Sequence, residues 1–338
     1  MLVVGATAGH VYPALSVADE LRRHPSPPRV LFVAGGAEDG AGTRRLLANE
    51  ELEFVPASPI KRAGAGGLLR AARQTSRGFV KARRLLTLER AALVIGFGSY
   101  VSGGALLAAR TLGIPTAIHE ANAYPGLANR WLKHVVDRVY LGFAEATRFF
   151  PGASILVTGT PVRAAIAALA SSERDGGSAR ARVLVMSGSR GDDFLSREVP
   201  HVVAALARRG VGVEVRQTTP FVADMAPVYA QTDLAIVRGG AGTLAELAVV
   251  GIPAVIVPLG DAADDHQTAN AREVAGGGAA LSVAESSWSA DTVSDWIASL
   301  LRDPQRWRAA SAAARTLARP DAAARLAADA MTLIDRGR

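Results

Sequence analysis

The sequence contains no cysteine, few aromatic residues and no apolar run long enough to cross a bilayer. The absence of cysteine among 338 residues excludes disulfides, thiolate nucleophiles and zinc sites built on sulfur. No stretch approaches the roughly 18 consecutive apolar residues of a membrane-spanning helix. The first residues, MLVVGATAGH, lack the basic flank of a signal peptide and predict a first strand instead. We therefore expect a cytoplasmic protein that is soluble or attached peripherally to a membrane.

Apolar residues make up 49% of the chain and charged residues 20%, which excludes a disordered protein. The length suits two domains, each with its own core. Residues 1–160 carry 19 Lys and Arg against 11 Asp and Glu, whereas the remainder carries 19 against 20. A basic N-terminal half suits anionic partners such as lipid headgroups, phosphates or nucleic acid. Nucleic acid is the weaker option, because aromatic residues make up only 5% of the chain and do not interleave with the basic cluster in the way that base-stacking proteins use them.

Strand-like and helical patterns alternate along the whole chain. Seven apolar runs typical of buried parallel strands precede the polar segment at residues 171–181, and five follow it. The runs are MLVVGA, RVLFVAG, LEFVPAS, ALVIGFG, PTAIHEA, RVYLGF and SILVTG, then RVLVMSG, GVEVRQ, DLAIVRGG, PAVIVPL and AALSV. Two such series predict two doubly wound α/β domains with ligands at the carboxyl ends of the strands. Helices are also predicted at 290–302, at 304–317, and from Pro320 to about residue 335.

The first predicted strand ends in GATAGH and leads directly into a helix. Small residues at such a bend let main-chain amides face an anion, and the helix N-terminus favours negative charge. The segment is neither G-x-G-x-x-G nor a Walker loop, so it supports neither a nicotinamide enzyme nor a P-loop ATPase. His10 could take a proton from an attacking hydroxyl, or could simply hydrogen-bond the main chain at the helix start.

The segment RGGAGTLAE, from Arg238 to Glu246, is the most informative part of the sequence. Its glycines allow a diphosphate to approach the amides that open the following helix. Glu246 could accept two ribose hydroxyls, or could be a first-turn glutamate favoured by the helix dipole. Further on, His266 and Gln267 could bind hydroxyl groups or cap the helix that begins there.

Seven segments, in order along the chain, resemble the MurG family of N-acetylglucosaminyltransferases. They are GATAGHVYPALSVA, GFGSYVSG, IHEAN, TGTPVR, SGSRG, RGGAGTLAELAVVGIP and DDHQTANA. The final PDAAARLAADA resembles the C-terminal helix of the family, so the resemblance covers essentially the whole chain. It implies inverting transfer of N-acetylglucosamine from UDP-N-acetylglucosamine to an undecaprenyl-diphosphate-linked muramyl-pentapeptide, a step of peptidoglycan synthesis.

By this resemblance the fold is α/β of the GT-B type, with two Rossmann-like doubly wound domains facing a central cleft. Residues 1–160 are expected to form the acceptor-binding and membrane-associating domain, with the helix at 320–336 packed back on it. Residues 161–319 are expected to bind the UDP-sugar.

The matching motifs also imply a role for individual residues. On the acceptor side they are Thr7, Gly9, His10, Tyr100 and Asn122. On the donor side they are Arg163, Ser189, Val222, Gly240, Ala241, Gly242, Thr243, Glu246, His266 and Gln267. His10, as the base, and Glu246, which holds the ribose, are the catalytic candidates, and the main chain at Val222 binds uracil. The chain has no Asp-x-Asp pair, so we expect no metal site and no required cofactor, with Mg²⁺ at most stimulatory.

The stretch from Lys61 to Leu86 is strongly basic and contains no acidic residue. Its basic residues are Lys61, Arg62, Arg70, Arg73, Arg77, Lys81, Arg83 and Arg84, with Leu68, Leu69, Phe79 and Val80 among them. This face could be solvated, or could lie on an anionic leaflet, where each basic group adds about 1 kcal/mol. A comparable region of the family docks on the membrane. The resemblance therefore implies a lipid-linked acceptor and a peripheral location on the inner face of the cell membrane, without nucleic acid.

The chain departs from the family pattern at several positions. Ala6 and Ser187 replace usual glycines, and Ala121 replaces a residue that is commonly polar. The interval between Ser189 and Phe221 is too short for the strand-and-helix unit that the family normally has there. Two alternatives therefore stay open. One is a MurG-like transferase of specialised metabolism with another acceptor, such as an antibiotic. The other is a UDP-N-acetylglucosamine epimerase or a non-catalytic sugar-nucleotide binder.

Overall fold

The chain forms two compact units in the computed structural model. Unit 1 comprises Met1–Pro161 together with Asp321–Arg338, and unit 2 comprises Val162–Pro320. The structure describes residues 1–35, 40–57, 65–98, 101–174, 180–187, 193–218, 222, 224–259 and 265–337, with the main chain alone at 40–41 and 65–72.

Unit 1 is built on a seven-stranded parallel sheet with the order β3-β2-β1-β4-β5-β6-β7. The strands are β1 (Leu2–Val4), β2 (Phe32–Gly35), β3 (Leu52–Val55), β4 (Val94–Phe97), β5 (Thr116–Glu120), β6 (Arg138–Leu141) and β7 (Ile155–Val157). The central strands β1, β4 and β5 are buried at every position, which explains their near-continuous apolar runs. The strand order reverses between β1 and β4, and ligands of such sheets bind outside the carboxyl ends of the strands at this switch point.

Helices cover both faces of this sheet. One face packs against α1 (Ala8–Arg22), α2 (Gly40–Leu46) and α13 (Ala322–Arg336), and the other against α3 (Ala65–Leu88), α4 (Val101–Thr111) and α5 (Leu127–Leu132). A 3₁₀ helix at Ala144–Phe149 lies between β6 and β7.

The last helix, α13, is held to the sheet of unit 1 by a partly buried polar contact. Tyr140 on β6 donates its hydroxyl to Asp329 Oδ2 over 2.9 Å, and Arg138 donates to Asp329 Oδ1 over 3.2 Å. Buried residues of α13, such as Leu326 and Ala330, share the apolar cluster that α1 forms with the sheet. The C-terminal segment therefore completes the core of unit 1.

Unit 2 is built on a five-stranded parallel sheet with the order β12-β11-β10-β8-β9. The strands are β8 (Ala181–Met186), β9 (Val213–Gln217), β10 (Leu234–Val237), β11 (Ala254–Ile256) and β12 (Ala280–Ser282). The helices are α6 (Ala164–Ala167), α7 (Asp193–Arg208), α8 (Ala226–Ala230), α9 (Ala241–Val250), α10 (His266–Gly276), α11 (Ala290–Leu301) and α12 (Pro304–Thr316). The strand order reverses between β8 and β10, so the switch point lies beside the start of α9.

The predicted fold class is confirmed, and each of the twelve predicted runs overlaps one of the strands. The short interval after Ser189 leaves β9 at the edge of the sheet. Among the described residues no further strand stands between β9 and α8. No helix in the described part of the chain combines the length and apolar character needed to span a bilayer.

Candidate active site

The loop between β1 and α1 places His10 at the switch point of unit 1. The carbonyl of Thr7, just before α1, accepts hydrogen bonds from the main-chain N–H groups of His10 (3.0 Å) and Val11 (3.2 Å). The Thr7 hydroxyl lies 3.1 Å from His10 Nδ1. Thr7 and Gly9 are exposed and His10 is half-buried, so the loop presents polar atoms at the carboxyl end of β1.

Gly98, at the end of β4, makes room for the imidazole ring of His10. Its φ is +79°, in the left-handed region that favours glycine. A Cβ atom at this position would lie 2.9 Å from both Cδ2 and Nε2 of His10. The adjacent strands β1 and β4 thus bring together a histidine and a glycine that are far apart in sequence. Tyr100 lies outside the described residues, so its acceptor role stays a prediction.

Burial lowers the pKa of His10 below the usual value for histidine, which keeps its imidazole neutral at neutral pH. A neutral imidazole can accept a proton. If Nδ1 carries the hydrogen and donates to Thr7, Nε2 retains its lone pair for this purpose. The geometry is therefore compatible with a general base at His10.

A second histidine, His119 on β5, is buried beside this loop. Burial, the largest cause, lowers its pKa to about 4; a hydrogen bond with the main chain of Gly159 opposes this shift, and the charge of His10 adds to it. Its ring lies 5.6 Å from that of Phe97, and its Nε2 atom has no hydrogen-bond partner among the described residues. His119 is therefore a neutral, buried neighbour of the site at physiological pH.

Glu120, the last residue of β5, holds the segment that carries Asn122. Its Oε1 atom accepts hydrogen bonds from the main-chain N–H and the side-chain amide of Asn122, each over 2.9 Å. Its Oε2 atom accepts from the main-chain N–H of Gly126 (3.1 Å) and from Asn129 Nδ2 (2.9 Å). This buried carboxylate thus fixes both Asn122 and the start of α5.

In unit 2, the glycine-rich segment after β10 forms the start of α9, as its sequence predicts. Gly240 precedes the helix in an extended conformation, and Ala241, Gly242 and Thr243 form the first turn. Main-chain N–H groups of a first turn have no partners inside the helix. They therefore form a concentrated set of donors at the switch point of this sheet.

Two side chains from α10 hold this glycine-rich segment in place. Gln267 Oε1 accepts hydrogen bonds from the main-chain N–H groups of Gly239 (3.0 Å) and Leu259 (3.1 Å). Asn270, fully buried, donates to the carbonyl of Gly239 over 3.0 Å. A Cβ atom at Gly239 would lie 2.5 Å from the carbonyl oxygen of Gln267, so this close approach requires glycine. Gln267 therefore has only its amino group left to contact a ligand.

Glu246, inside α9, is buried and engaged through both carboxylate oxygens. Oε1 accepts hydrogen bonds from Nε (3.2 Å) and Nη2 (3.0 Å) of Arg163, and Oε2 accepts from the Tyr229 hydroxyl over 2.8 Å. Burial raises the pKa of Glu246, against the opposing effects of Arg163 and Tyr229. Burial beside the carboxylate also raises the pKa of Tyr229 well above its usual value, so Tyr229 remains a donor. One acceptor position on Oε2 remains for a ligand hydroxyl.

The remaining predicted donor residues are His266, Val222 and Ser189. His266 begins α10 and is half-buried, and Asp265 before it adopts a left-handed conformation with φ +49°. Val222 is half-buried and precedes α8, and Ser189 lies outside the described residues. Within the described ranges, no group of three or more His, Asp or Glu side chains is placed to hold a metal ion.

Sequence reasoning missed four residues that support the predicted ones, namely Glu120, Asn129, Tyr229 and Asn270. Each carries a polar group and is buried, and each makes a hydrogen bond to a residue of a predicted site segment. A charged or amide side chain inside an apolar helix or strand is a usable signal, because such groups are rarely buried without partners. The identity of the partner is set by tertiary contacts and is not visible in the sequence.

Both halves of the chain match domains of one enzyme family. The glycosyltransferase family 28 N-terminal domain matches residues 1–141, and the glycosyltransferase family 28 C-terminal domain matches residues 210–326. The chain belongs to glycosyltransferase family 28. The matched segments include the loop of His10 in unit 1 and the start of α9 in unit 2. The predicted enzyme class, a sugar-nucleotide-dependent glycosyltransferase, is confirmed.

Relatives that share one name match this chain over nearly its whole length. A relative from Nitratidesulfovibrio vulgaris is 36% identical over 100% of this chain and 97% of its own. A relative from Methylococcus capsulatus is 37% identical over 96% of this chain and 95% of its own. Both are named UDP-N-acetylglucosamine--N-acetylmuramyl-(pentapeptide) pyrophosphoryl-undecaprenol N-acetylglucosamine transferase.

The crystal structure of MurG from Acinetobacter baumannii matches the family 28 fold of this chain. The two are 28% identical, the match covers 98% of each chain, and the TM-score is 0.76. The predicted resemblance to the MurG family is therefore confirmed at the level of sequence and of fold.

Proposed function

We propose that this family 28 enzyme transfers N-acetylglucosamine from UDP-N-acetylglucosamine to a muramyl-pentapeptide linked through a diphosphate to undecaprenol. The observation that carries this proposal is the match, at 36 and 37% identity, to two relatives that bear the name of this activity. The match extends over at least 95% of each relative, so both substrate-binding halves are present. The product is the disaccharide precursor of peptidoglycan.

The donor binds in unit 2 in this proposal. Main-chain N–H groups of Ala241, Gly242 and Thr243 bind the diphosphate, with the positive end of the helix dipole behind them. Glu246 accepts a ribose hydroxyl at Oε2, because Arg163 already occupies Oε1. This arrangement supports a binding role for Glu246 in preference to proton transfer.

The remaining donor residues complete the contacts to the nucleotide and its sugar. His266 and the amino group of Gln267 bind hydroxyls of the sugar. Gly240 belongs to the loop that binds the diphosphate, Ser189 is a further donor-binding residue, and the main chain at Val222 binds the uracil.

The acceptor binds in unit 1 in this proposal, beside Thr7, Gly9, Tyr100 and Asn122. His10 Nε2 takes the proton of the acceptor hydroxyl while its oxygen forms a bond to the anomeric carbon. The bond from that carbon to the diphosphate breaks, and UDP leaves with the electron pair. A single displacement of this kind inverts the configuration. The helix amides stabilise the negative charge that develops on the leaving group, and no cofactor enters the scheme, with Mg²⁺ at most stimulatory.

Unit 1 also attaches to the inner face of the cell membrane in this proposal, through the described part of α3. The outward side of α3 carries Arg73, Arg77, Val80, Arg84 and Leu88, all exposed. Basic residues at an anionic leaflet add about 1 kcal/mol each, and interspersed apolar side chains add a second signal. The earlier part of the basic stretch, at 61–64, lies outside the described residues. Nucleic acid has no part in this proposal.

Acceptor-dependent release of UDP tests this function. A panel of UDP-sugars is offered with and without a lipid-diphosphate muramyl-peptide analogue, and release of UDP is measured. We expect turnover with UDP-N-acetylglucosamine only when the analogue is present. Turnover solely with a different acceptor would instead indicate a transferase of specialised metabolism. Epimerisation of UDP-N-acetylglucosamine without any acceptor would indicate an epimerase, and either result would overturn the proposal.

A further inference from the structure

Two large apolar side chains are exposed on one side of the short helix α5. Leu127 is 60% exposed and Trp131 is 61% exposed. Their spacing of four residues places them on the same face of the helix. The opposite face is buried through Asn129 and Leu132. Helix α5 therefore presents an outward apolar pair, which we call the α5 patch.

Three cationic side chains surround Phe149 beside the α5 patch. The guanidinium carbons of Arg130 and Arg148 lie 5.6 Å and 4.9 Å from the centroid of the Phe149 ring. Lys133 Nζ donates to the carbonyl of Phe149 over 3.1 Å. The sequence from 121 to 136 contains no acidic residue. The patch is thus apolar at its centre and positively charged at its rim.

The α5 patch is connected through hydrogen bonds to Asn122, one of the proposed acceptor residues. The carboxylate of Glu120 binds Asn122 through one oxygen and Asn129 of α5 through the other. Helices α5 and α3 also pack on the same apolar layer of unit 1, through Leu132 and Leu86. The outward sides of both helices therefore point away from the same face of the sheet.

We propose that the α5 patch is a second membrane contact, in which Leu127 and Trp131 enter the interfacial region of an anionic bilayer. Arg130, Lys133 and Arg148 then meet the lipid phosphates. The indole ring of Trp131 suits the interfacial region of a bilayer, because it combines an apolar body with a polar N–H group. Two separate contacts give stable attachment where one gives marginal binding. The inference rests on the proposed function in one respect, namely that the acceptor resides in the membrane.

Binding to lipid vesicles tests the α5 patch. The full chain is sedimented with phosphatidylcholine vesicles that contain or lack phosphatidylglycerol. We expect Leu127→Ser/Trp131→Ser to weaken binding to the anionic vesicles about tenfold or more, because both apolar side chains are lost. The matched control is Ala128→Ser, which introduces the same residue on the same exposed turn and should bind as the unsubstituted protein does. Equal binding to neutral vesicles, or unchanged binding of the double variant, would overturn the proposal.

Fluorescence provides a readout that does not depend on loss of binding. Bilayers with brominated acyl chains should quench part of the tryptophan emission, and Trp131→Phe, which keeps an apolar anchor, should remove that part while vesicle binding persists. Persistence of the full quenching in Trp131→Phe would place the bilayer contact elsewhere. A lipid-free dimer that the double substitution dissociates would assign this face to a second copy of the chain and overturn the membrane proposal.

The double variant also separates this inference from the proposed function. Turnover with a short-chain, water-soluble acceptor analogue should be unchanged in Leu127→Ser/Trp131→Ser. Turnover with an acceptor embedded in anionic vesicles should fall at least severalfold. An equal fall with both acceptors would point to damage at the acceptor site and reject the inference. No turnover with either acceptor in the unsubstituted protein would reject the proposed function and leave the vesicle result standing.

Discussion

Tyr229 and Glu246 form a buried hydrogen bond in which the phenol donates to Oε2 over 2.8 Å. The substitution Tyr229→Phe removes this donor. A carboxylate oxygen of Glu246 is then buried without a hydrogen bond from the phenol, which lowers the free energy of unfolding by about 1–3 kcal/mol. We expect UDP to bind roughly tenfold more weakly, with little change in turnover at saturating donor. Isothermal titration of UDP, combined with kcat and KM for the donor, measures both effects.

The loss in Tyr229→Phe should grow as the pH falls. Burial already raises the pKa of Glu246, and removal of a hydrogen bond to the charged form raises it further. Protonation of Glu246 then sets in at higher pH in the variant and removes an acceptor for the ribose. The control Thr232→Val deletes another buried hydroxyl near α8, which donates to the main-chain carbonyl of Val228. A similar loss of UDP affinity in that control would show that Tyr229 acts merely through stability.

Replacement of the proposed base, His10→Ala, should lower turnover by about 10²- to 10⁴-fold and leave UDP binding unchanged. The base must be neutral to act, so kcat/KM falls as the pH drops through the pKa of His10. Because burial lowers this pKa, the acidic limb of the profile should have its midpoint below the usual 6.5 of histidine. A pH–rate profile measures the midpoint. A midpoint above 6.5, or full activity of His10→Ala, would exclude His10 as the base.

The contact between Gly98 and His10 can be tested with two matched glycine substitutions. Gly98→Ala introduces a Cβ atom that would lie 2.9 Å from the His10 ring, at a φ of +79°. Gly152→Ala incurs the same backbone strain at φ +76°, and beyond its two chain neighbours no atom of the described residues lies within 4 Å of the new Cβ. Both variants should lose about 1–2 kcal/mol of stability. Only Gly98→Ala should lose turnover, by tenfold or more, and comparable kinetics in the two variants would contradict the packing argument.

Stability at acidic pH should depend on His119. Its pKa is about 4 in the folded protein, against 6.5 for an ordinary histidine. As the pH falls from 6.5 to 4, the unfolded chain takes up a proton that the folded chain does not, so the free energy of unfolding decreases. Between pH 7.5 and 5 this single group accounts for about 2 kcal/mol. Urea unfolding at a series of pH values measures this pH dependence of the free energy of unfolding in the unsubstituted protein and in His119→Gln. The control is His134→Gln, which replaces an exposed histidine. An unchanged pH dependence in His119→Gln would refute this assignment.

The sequence predicts the fold well because parallel α/β domains have a clear periodic pattern. Buried strands such as β4 and β10 are short apolar runs, and each is followed by glycine and then a helix, so strand and helix alternate without ambiguity. The short interval after Ser189 likewise predicts that the sheet of unit 2 has no room for a further strand-and-helix unit beyond β9. Strand order is less visible, since it depends on which helices pack on which face.

The site was predictable where main-chain geometry determines it. Glycine next to a helix start, as at Gly240, predicts from sequence alone where a first helical turn lies, and anion binding there stays a prediction. The pairing of Glu246 with Arg163 and Tyr229 was not predictable, because it joins α9 to segments 83 and 17 residues away. The engagement of Gln267 Oε1 by the main chain was missed for the same reason. Side-chain hydrogen bonds of this kind depend on tertiary packing that no local pattern encodes.

Helix α13 has a consequence for the order in which the protein is assembled on the ribosome. The apolar surface of α1 that α13 covers is synthesised first, whereas α13 itself is synthesised last. At the usual 5–20 residues per second, translation of the intervening unit takes roughly ten to thirty seconds. During that time the nascent first unit has an incomplete core, while the second can fold as soon as it emerges. A premature stop before residue 321 would therefore harm the half of the enzyme made earliest.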